Sequence, residues 1–234
     1  MSPRPGGELS SRPLHFIWIA DCSGSMGVDG KIQSLNTAIR EALPSMKQVA
    51  DENPNADVFV RAIKFSSGAQ WHVSQPTRIA DFTWTDLTAD GVTDLGKALS
   101  LVAEQLDVSK MGERCLPPVL VLVSDGQPTD DYESALENLL SLPWGKKAVR
   151  IAIAIGKDAD MDVLQKFIAH PEIKPLQANN AEQLVKYIKW ASTAVLKSAS
   201  APASQTQNAA QSGTNVPIPQ PPVDDEPSDA GDVW

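Results

Sequence analysis

Three short apolar runs punctuate the chain, at residues 14–20, 119–123 and 149–155. Nearly continuous apolar stretches of this length predict strands buried on both faces. Between them the spacing changes. Ile32, Leu35, Ala38, Ile39, Leu43, Met46 and Val49 recur at helical intervals and predict a helix over residues 31–50, with Pro44 expected to kink or break it. Residues 57–65 are strand-like, Ser66-Ser67-Gly68 is a turn, and residues 69–73 are expected to return antiparallel. Further helices are predicted over 94–106, 130–142, 160–169 and 181–198, with a short strand near 174–176. Asp130, with Glu133 three positions on, reads as the N-cap of its own helix.

Strands alternating with helices imply an α/β class. The expected architecture is a Rossmann-like, doubly wound, mostly parallel sheet with one antiparallel edge strand, flanked by helices. Sheets of this kind bind ligands at the carboxyl ends of their strands.

The pattern fades after residue 198. Residues 199–215 are rich in Ala, Ser, Gln and Thr, and residues 216–222 hold four prolines and favour extended polyproline geometry. The division expected is an N-terminal extension (1–12), one domain (13–198) and a flexible Pro-rich acidic tail (199–234). The tail sharpens the charge picture. The net charge is −9, but five of the acids (Asp224, Asp225, Glu226, Asp229 and Asp232) follow the last basic residue, Lys197. An acidic chain without a basic stripe argues against nucleic acid and against anionic membrane surfaces.

Cys22 and Cys115 are the only cysteines, and read as free thiols in a reducing compartment. His15, His72 and His170 show no ligand spacing that could complete a zinc site with them. Residues 1–12 have no apolar core, and no run approaches the length of a membrane span, so the expected location is the cytoplasm.

Candidate chemistry lies where the predicted strands end. Asp21-Cys22-Ser23-Gly24-Ser25 follows the first apolar run, Ser124-Asp125-Gly126 follows the second, and Gly91-Val92-Thr93-Asp94 opens a helix. Taken singly, each has a plainer reading. Ser25 or Asp29 can cap the following helix, Thr93 can cap its own, and Asp125 can belong to a turn. Taken together, Asp21, Ser23, Ser25, Thr93 and Asp125 form an all-oxygen set of two carboxylates and three hydroxyls. Such a set suits a small hard cation, Mg²⁺ or Mn²⁺. No phosphate loop or nucleophile elbow is present, Asp21-Cys22-Ser23 lacks the second Asp of an Asp-x-Asp nucleophile motif, and no His is placed as a base, so catalysis is not expected.

These three segments resemble the metal-ion-dependent adhesion site of von Willebrand factor A domains, over roughly residues 13–198. The resemblance implies that Ser23, Ser25 and Thr93 bind the cation directly, that Asp21 and Asp125 complete the site, and that a protein partner supplies an Asp or Glu to the metal. Phe65-Ser66-Ser67-Gly68-Ala69-Gln70-Trp71, with residues 116–131 and 142–158, is similar to TerY-type proteins of bacterial tellurium-resistance and stress systems. That likeness implies a Ser/Thr kinase and a type-2C-like protein phosphatase as partners. It makes Thr206, Ser212, Thr214 and Ser228 candidate phosphorylation sites. A metal-dependent hydrolase or phosphotransfer enzyme, and a scaffold whose metal only staples loops, remain as alternatives. The tail carboxylates of residues 224–232 or the chain terminus, with Trp234 docking nearby, are a further candidate ligand for the metal, beside the plainer reading of a solvated linker.

Overall fold

The computed structural model describes residues 11–125, 127–201, 216–222 and 234. The apolar runs become the central strands of a six-stranded sheet. The strands are β1 (Arg12–Asp21), β2 (Ala56–Ser66), β3 (Gly68–Arg78), β4 (Val119–Ser124), β5 (Val149–Ile155) and β6 (Leu176–Ala178). They lie in the order β3-β2-β1-β4-β5-β6. All neighbours are parallel except β2 and β3, which form an antiparallel hairpin at one edge.

The helices are α1 (Lys31–Asp51), α2 (Leu95–Gln105), α3 (Val108–Met111), α4 (Tyr132–Ser141), α5 (Pro143–Lys147), α6 (Met161–Ile168), α7 (Ala181–Trp190) and α8 (Leu196–Ala199). Successive strand side chains point to opposite faces, which divides the interior into two cores. Leu14, Phe16, Trp18 and Ala20 of β1 pack with Leu35, Ile39 and Met46 of α1 and Leu184 and Ile188 of α7. Ile17 and Ile19 face the other way, onto Leu95, Leu99 and Val102 of α2, Leu139 of α4 and Leu164 of α6.

Local expectations were corrected at three places. Pro44 does not break α1, which runs on from Lys31 to Asp51. Ile39, Ala42 and Met46 around it are fully buried, and that packing outweighs the missing backbone donor. The helix expected over 181–198 widens into a π-helical turn, Ala191–Val195, between α7 and α8. There the Ser192 and Thr193 hydroxyls donate back to the carbonyls of Ile188 and Lys189, at 2.6 and 2.7 Å, and compete with the backbone ladder. Asp130 does not cap its own helix. Asp131 holds that position and accepts from the Ser134 N–H. Asp130 instead reaches α2, where its two carboxylate oxygens accept from the N–H groups of Gly96 (2.8 Å) and Lys97 (3.0 Å).

In the strand order, β1 is followed on one side by β2 and on the other by β4, so the winding reverses between β1 and β4. A crevice at the carboxyl ends of those two strands follows from that reversal.

Candidate metal centre

The site grows from the end of β1. Asp21 is fully buried. One of its oxygens accepts from the Ser23 N–H at 2.8 Å and the other from the Ser124 hydroxyl at 2.5 Å, so the carboxylate ties the ends of β1 and β4 together. Burial pushes the Asp21 carboxyl up to about 6, and the Asp125 charge adds to that. The hydrogen bonds from Ser124 and Ser23 oppose the rise.

After Asp21 the chain turns into a short helical loop, Gly24–Gly30. Ser23 is extended and almost wholly buried; Ser25 is exposed, and their hydroxyl oxygens stand 2.9 Å apart. Neither hydroxyl is spent as a cap on α1, whose N-cap is Gly30 in the left-handed conformation. A second loop is clasped onto this one. The Gly24 N–H donates to the Gly91 carbonyl at 2.9 Å, and the Asp90 N–H donates to the Cys22 carbonyl at 2.8 Å. Gly91 has φ +81°, and a Cβ there would overlap the Ser67 hydroxyl, so this close approach requires glycine.

Thr93 follows in that second loop, 6% exposed. Its N–H donates to the Thr129 hydroxyl (3.2 Å) and its carbonyl accepts from the Thr129 N–H (2.8 Å), so a third loop grips it at both backbone groups. Thr93 caps nothing by its side chain; the α2 N-terminus is served by Asp130. Asp94 is spent structurally, accepting from Lys97 Nζ (2.6 Å), the Gly68 N–H (2.7 Å) and the Thr129 hydroxyl (3.3 Å). The Lys97 ammonium holds the Asp94 carboxyl below its ordinary range.

Asp125 lies just past β4 and is 5% exposed. Its carbonyl accepts from the Asp160 N–H at 2.7 Å. Its Oδ1 is buried and has no hydrogen-bond partner among the described residues. A buried, unpartnered carboxylate oxygen near a second buried carboxylate is costly without a cation. The fold thus carries all five residues to the strand ends at the β1–β4 reversal. Among the described residues no three His, Cys, Asp or Glu side chains gather as metal ligands. Hydroxyls outnumber carboxylates among these five side chains, a set that would suit a hard cation and leave it underneutralised.

Ser124, Thr129 and Asp130 support the site and were not among its expected residues. A hydroxyl beside Asp125 and a Thr-Asp pair ahead of a helix were the signals available. Cys22, adjacent to the site, is 3% exposed; burial and then the Asp21 charge push its thiol up to about 12, which removes it as a nucleophile. Trp234 packs against the loop that follows Ser25. Its indole N–H donates to the Asp29 carbonyl (2.9 Å) and its backbone N–H to the Asn179 carbonyl (3.2 Å).

Solved structures with this architecture include the ArnB paralog VWA2 from Sulfolobus acidocaldarius, 20% identical with a TM-score of 0.57, covering 77% of this chain and 45% of that one. A von Willebrand factor type A protein from Catenulispora acidiphila is 16% identical with a TM-score of 0.59, over 79% of this chain and 43% of that one. Proximal thread matrix protein 1 from the mussel byssus, with a zinc-occupied MIDAS motif, is 19% identical with a TM-score of 0.59, over 77% and 47%. The chain therefore spans under half the length of these proteins. No curated protein matches it significantly. The model of the von Willebrand factor type A domain matches residues 17–189, across both cores and every strand but the start of β1. The chain belongs to the von Willebrand factor type A domain family.

Proposed function

We propose that this protein is a metal-dependent protein-interaction module. Ser23, Ser25 and Thr93 would hold Mg²⁺ or Mn²⁺ directly, with Asp21 and Asp125 completing the site. The observation that carries this reading is the buried Asp125 Oδ1 without a partner at an edge where three hydroxyls and a second buried carboxylate assemble. The mussel protein, whose MIDAS motif holds zinc, supports a divalent cation at this place in the fold.

A cation held mostly by neutral hydroxyls keeps much of its charge. When bound it supplies an electrophilic position that takes a carboxylate oxygen from outside. The ligand favoured is an Asp or Glu of a protein partner. Binding is favoured over catalysis because the sequence carries no phosphate loop or nucleophile elbow and Cys22 is buried. The similarity of residues 65–71, 116–131 and 142–158 to TerY-type proteins nominates a Ser/Thr kinase and a type-2C-like protein phosphatase as partners, in a cytoplasmic stress or tellurium-resistance system. Two buried free thiols agree with a reducing compartment. Among the described residues no helix is long and apolar enough to cross a membrane.

The test is calorimetric titration of the full chain with Mg²⁺ and Mn²⁺. Thr93→Ala and Asp125→Ala are expected to abolish binding while the circular dichroism spectrum is retained. Capture of a partner should then fail in chelator. Unchanged metal affinity in both variants, or a partner retained equally well in chelator, would overturn the proposal.

A further inference from the structure

Residues 216–222 carry four prolines, yet they lie against the body. Val216 is 5% exposed, and Ile218 is partly buried against the core that contains Ile151 and Trp190. Val216, Pro219 and Pro222 are covered to differing degrees, while Pro217, Gln220 and Pro221 are exposed. That covering repeats at three residues, with Ile218 as an added anchor. The hydrogen bonds repeat at three as well. The Ser198 hydroxyl donates to the Pro217 carbonyl, and the Trp190 indole N–H donates to the Gln220 carbonyl at 3.1 Å. Polyproline II has three residues per turn and no internal hydrogen bonds, so carbonyls three apart face the same side and are free to accept. An aromatic wall with an indole N–H aimed at a ligand carbonyl is a physical solution for reading such a segment.

The segment is laid over this surface rather than woven into it. An open cleft of about 550 Å³ is lined by this segment together with Ile151, Ile173, Leu176, His170 and Trp190 of the body. His170 is 6% exposed, its Nδ1 accepts from the Glu172 N–H (3.3 Å), and its Nε2 has no partner among the described residues.

We infer that the groove along α7, the π-helical turn and α8, facing β5 and β6, is a recognition site for an extended proline-rich segment, and that residues 216–222 of the same chain occupy it. The site lies away from the metal centre and does not depend on it. Tethering through residues 202–215 gives the resident segment an effective concentration on the order of millimolar, so it acts as a built-in competitor of any proline-rich segment offered from outside.

The experiment keeps the full chain. Ile218→Asp places a charge where an apolar anchor packs and should displace the resident segment. The probe is a fluorescein-labelled peptide with the sequence of residues 214–222, followed by polarisation. The Ile218→Asp chain is expected to bind the peptide at least tenfold more tightly than the unaltered chain. Trp190→Phe in the Ile218→Asp background, which removes the indole donor and keeps an aromatic ring, is expected to lose most of that gain. A peptide with its prolines replaced by glycine should bind weakly to both. Equal binding by the unaltered and Ile218→Asp chains would overturn the inference, as would indifference to Trp190→Phe. Dimerisation of the unaltered chain that is lost in Ile218→Asp would overturn the assignment of the occupant to the same chain.

Discussion

Asp130 is the most instructive residue to remove. Its carboxylate accepts two backbone N–H groups at the start of α2, those of Gly96 and Lys97, at 2.8 and 3.0 Å. The first turn of a helix has no internal partners for these donors and carries the positive end of the helix dipole. Gly96 makes the approach possible: a Cβ there would stand 2.8 Å from the Asp131 carbonyl and 3.0 Å from Asp130 Oδ2. Asp130 is half-buried, so each bond is assigned about 1 kcal/mol, below the full value of a charged hydrogen bond. Asp130→Ala should therefore cost about 2 kcal/mol, or roughly 4–8 °C in melting temperature for a domain of this size. Asp130→Asn keeps one acceptor and loses the charge, and should cost about half as much. Urea unfolding followed by circular dichroism would show the midpoint falling with an unchanged slope. Thr129, next in sequence, grips Thr93, so metal affinity at the proposed site should also fall, by about fivefold for each 1 kcal/mol of support lost. A stability within about 0.5 kcal/mol of the unaltered chain, the range of ordinary surface changes, would refute the capping argument.

Gly91→Ala adds a Cβ into the Ser67 hydroxyl at a positive φ, and should cost about 1–3 kcal/mol and weaken metal binding by shifting the carbonyl that holds Gly24. Equal urea midpoints for the two chains would contradict this. His15, beside Phe59, is pushed down to about 4 by burial and then by the Arg61 charge, against an ordinary value of 6.5. The unfolded chain thus binds the extra proton first, so this contribution to stability is complete above pH 6.5 and is lost as the pH falls toward 4. His15→Gln should flatten the fall in urea midpoint over that window, and parallel pH profiles would show that His15 is not its source.

The strands were legible because a parallel sheet covered on both faces needs nearly continuous apolar sequence, and residues 14–20, 119–123 and 149–155 supply it. The placement of the candidate site residues was legible for a related reason. Its residues sit directly after those runs or at a helix start, so strand position and residue chemistry could be read together. Asp130 was assigned to the wrong helix because its partner N–H groups lie 33 and 34 positions away in sequence. Local pattern could see only Asp130 and Glu133, and the adjacent Asp131 took the near role. Pro44 failed as a breaker because the burial that offsets it comes from α7 and the sheet, not from its neighbours in sequence.

The same distinction explains the segments after residue 198. Composition marks residues 216–222 as too proline-rich and short to build a core of their own, but it carries no information about a surface that receives them. That surface needs Trp190 and Ser198 at the end of one helical stretch and Ile151 and Leu176 on two strands, which only the fold assembles. Trp234 behaves alike: its indole reaches a carbonyl 205 positions earlier, in the loop that follows Ser25. The expected phosphorylation sites and the acidic residues 224–232 lie outside the described residues. Asp29, whose carbonyl Trp234 engages, has φ +50°, and Gly30 follows at +73°. A contact from Trp234 thus reaches the first of two consecutive left-handed residues, a conformation that Asp adopts more readily than most non-glycine residues. The loop bearing Ser25 is therefore held from two directions, by Gly91 on the side of the metal centre and by Trp234 on the other.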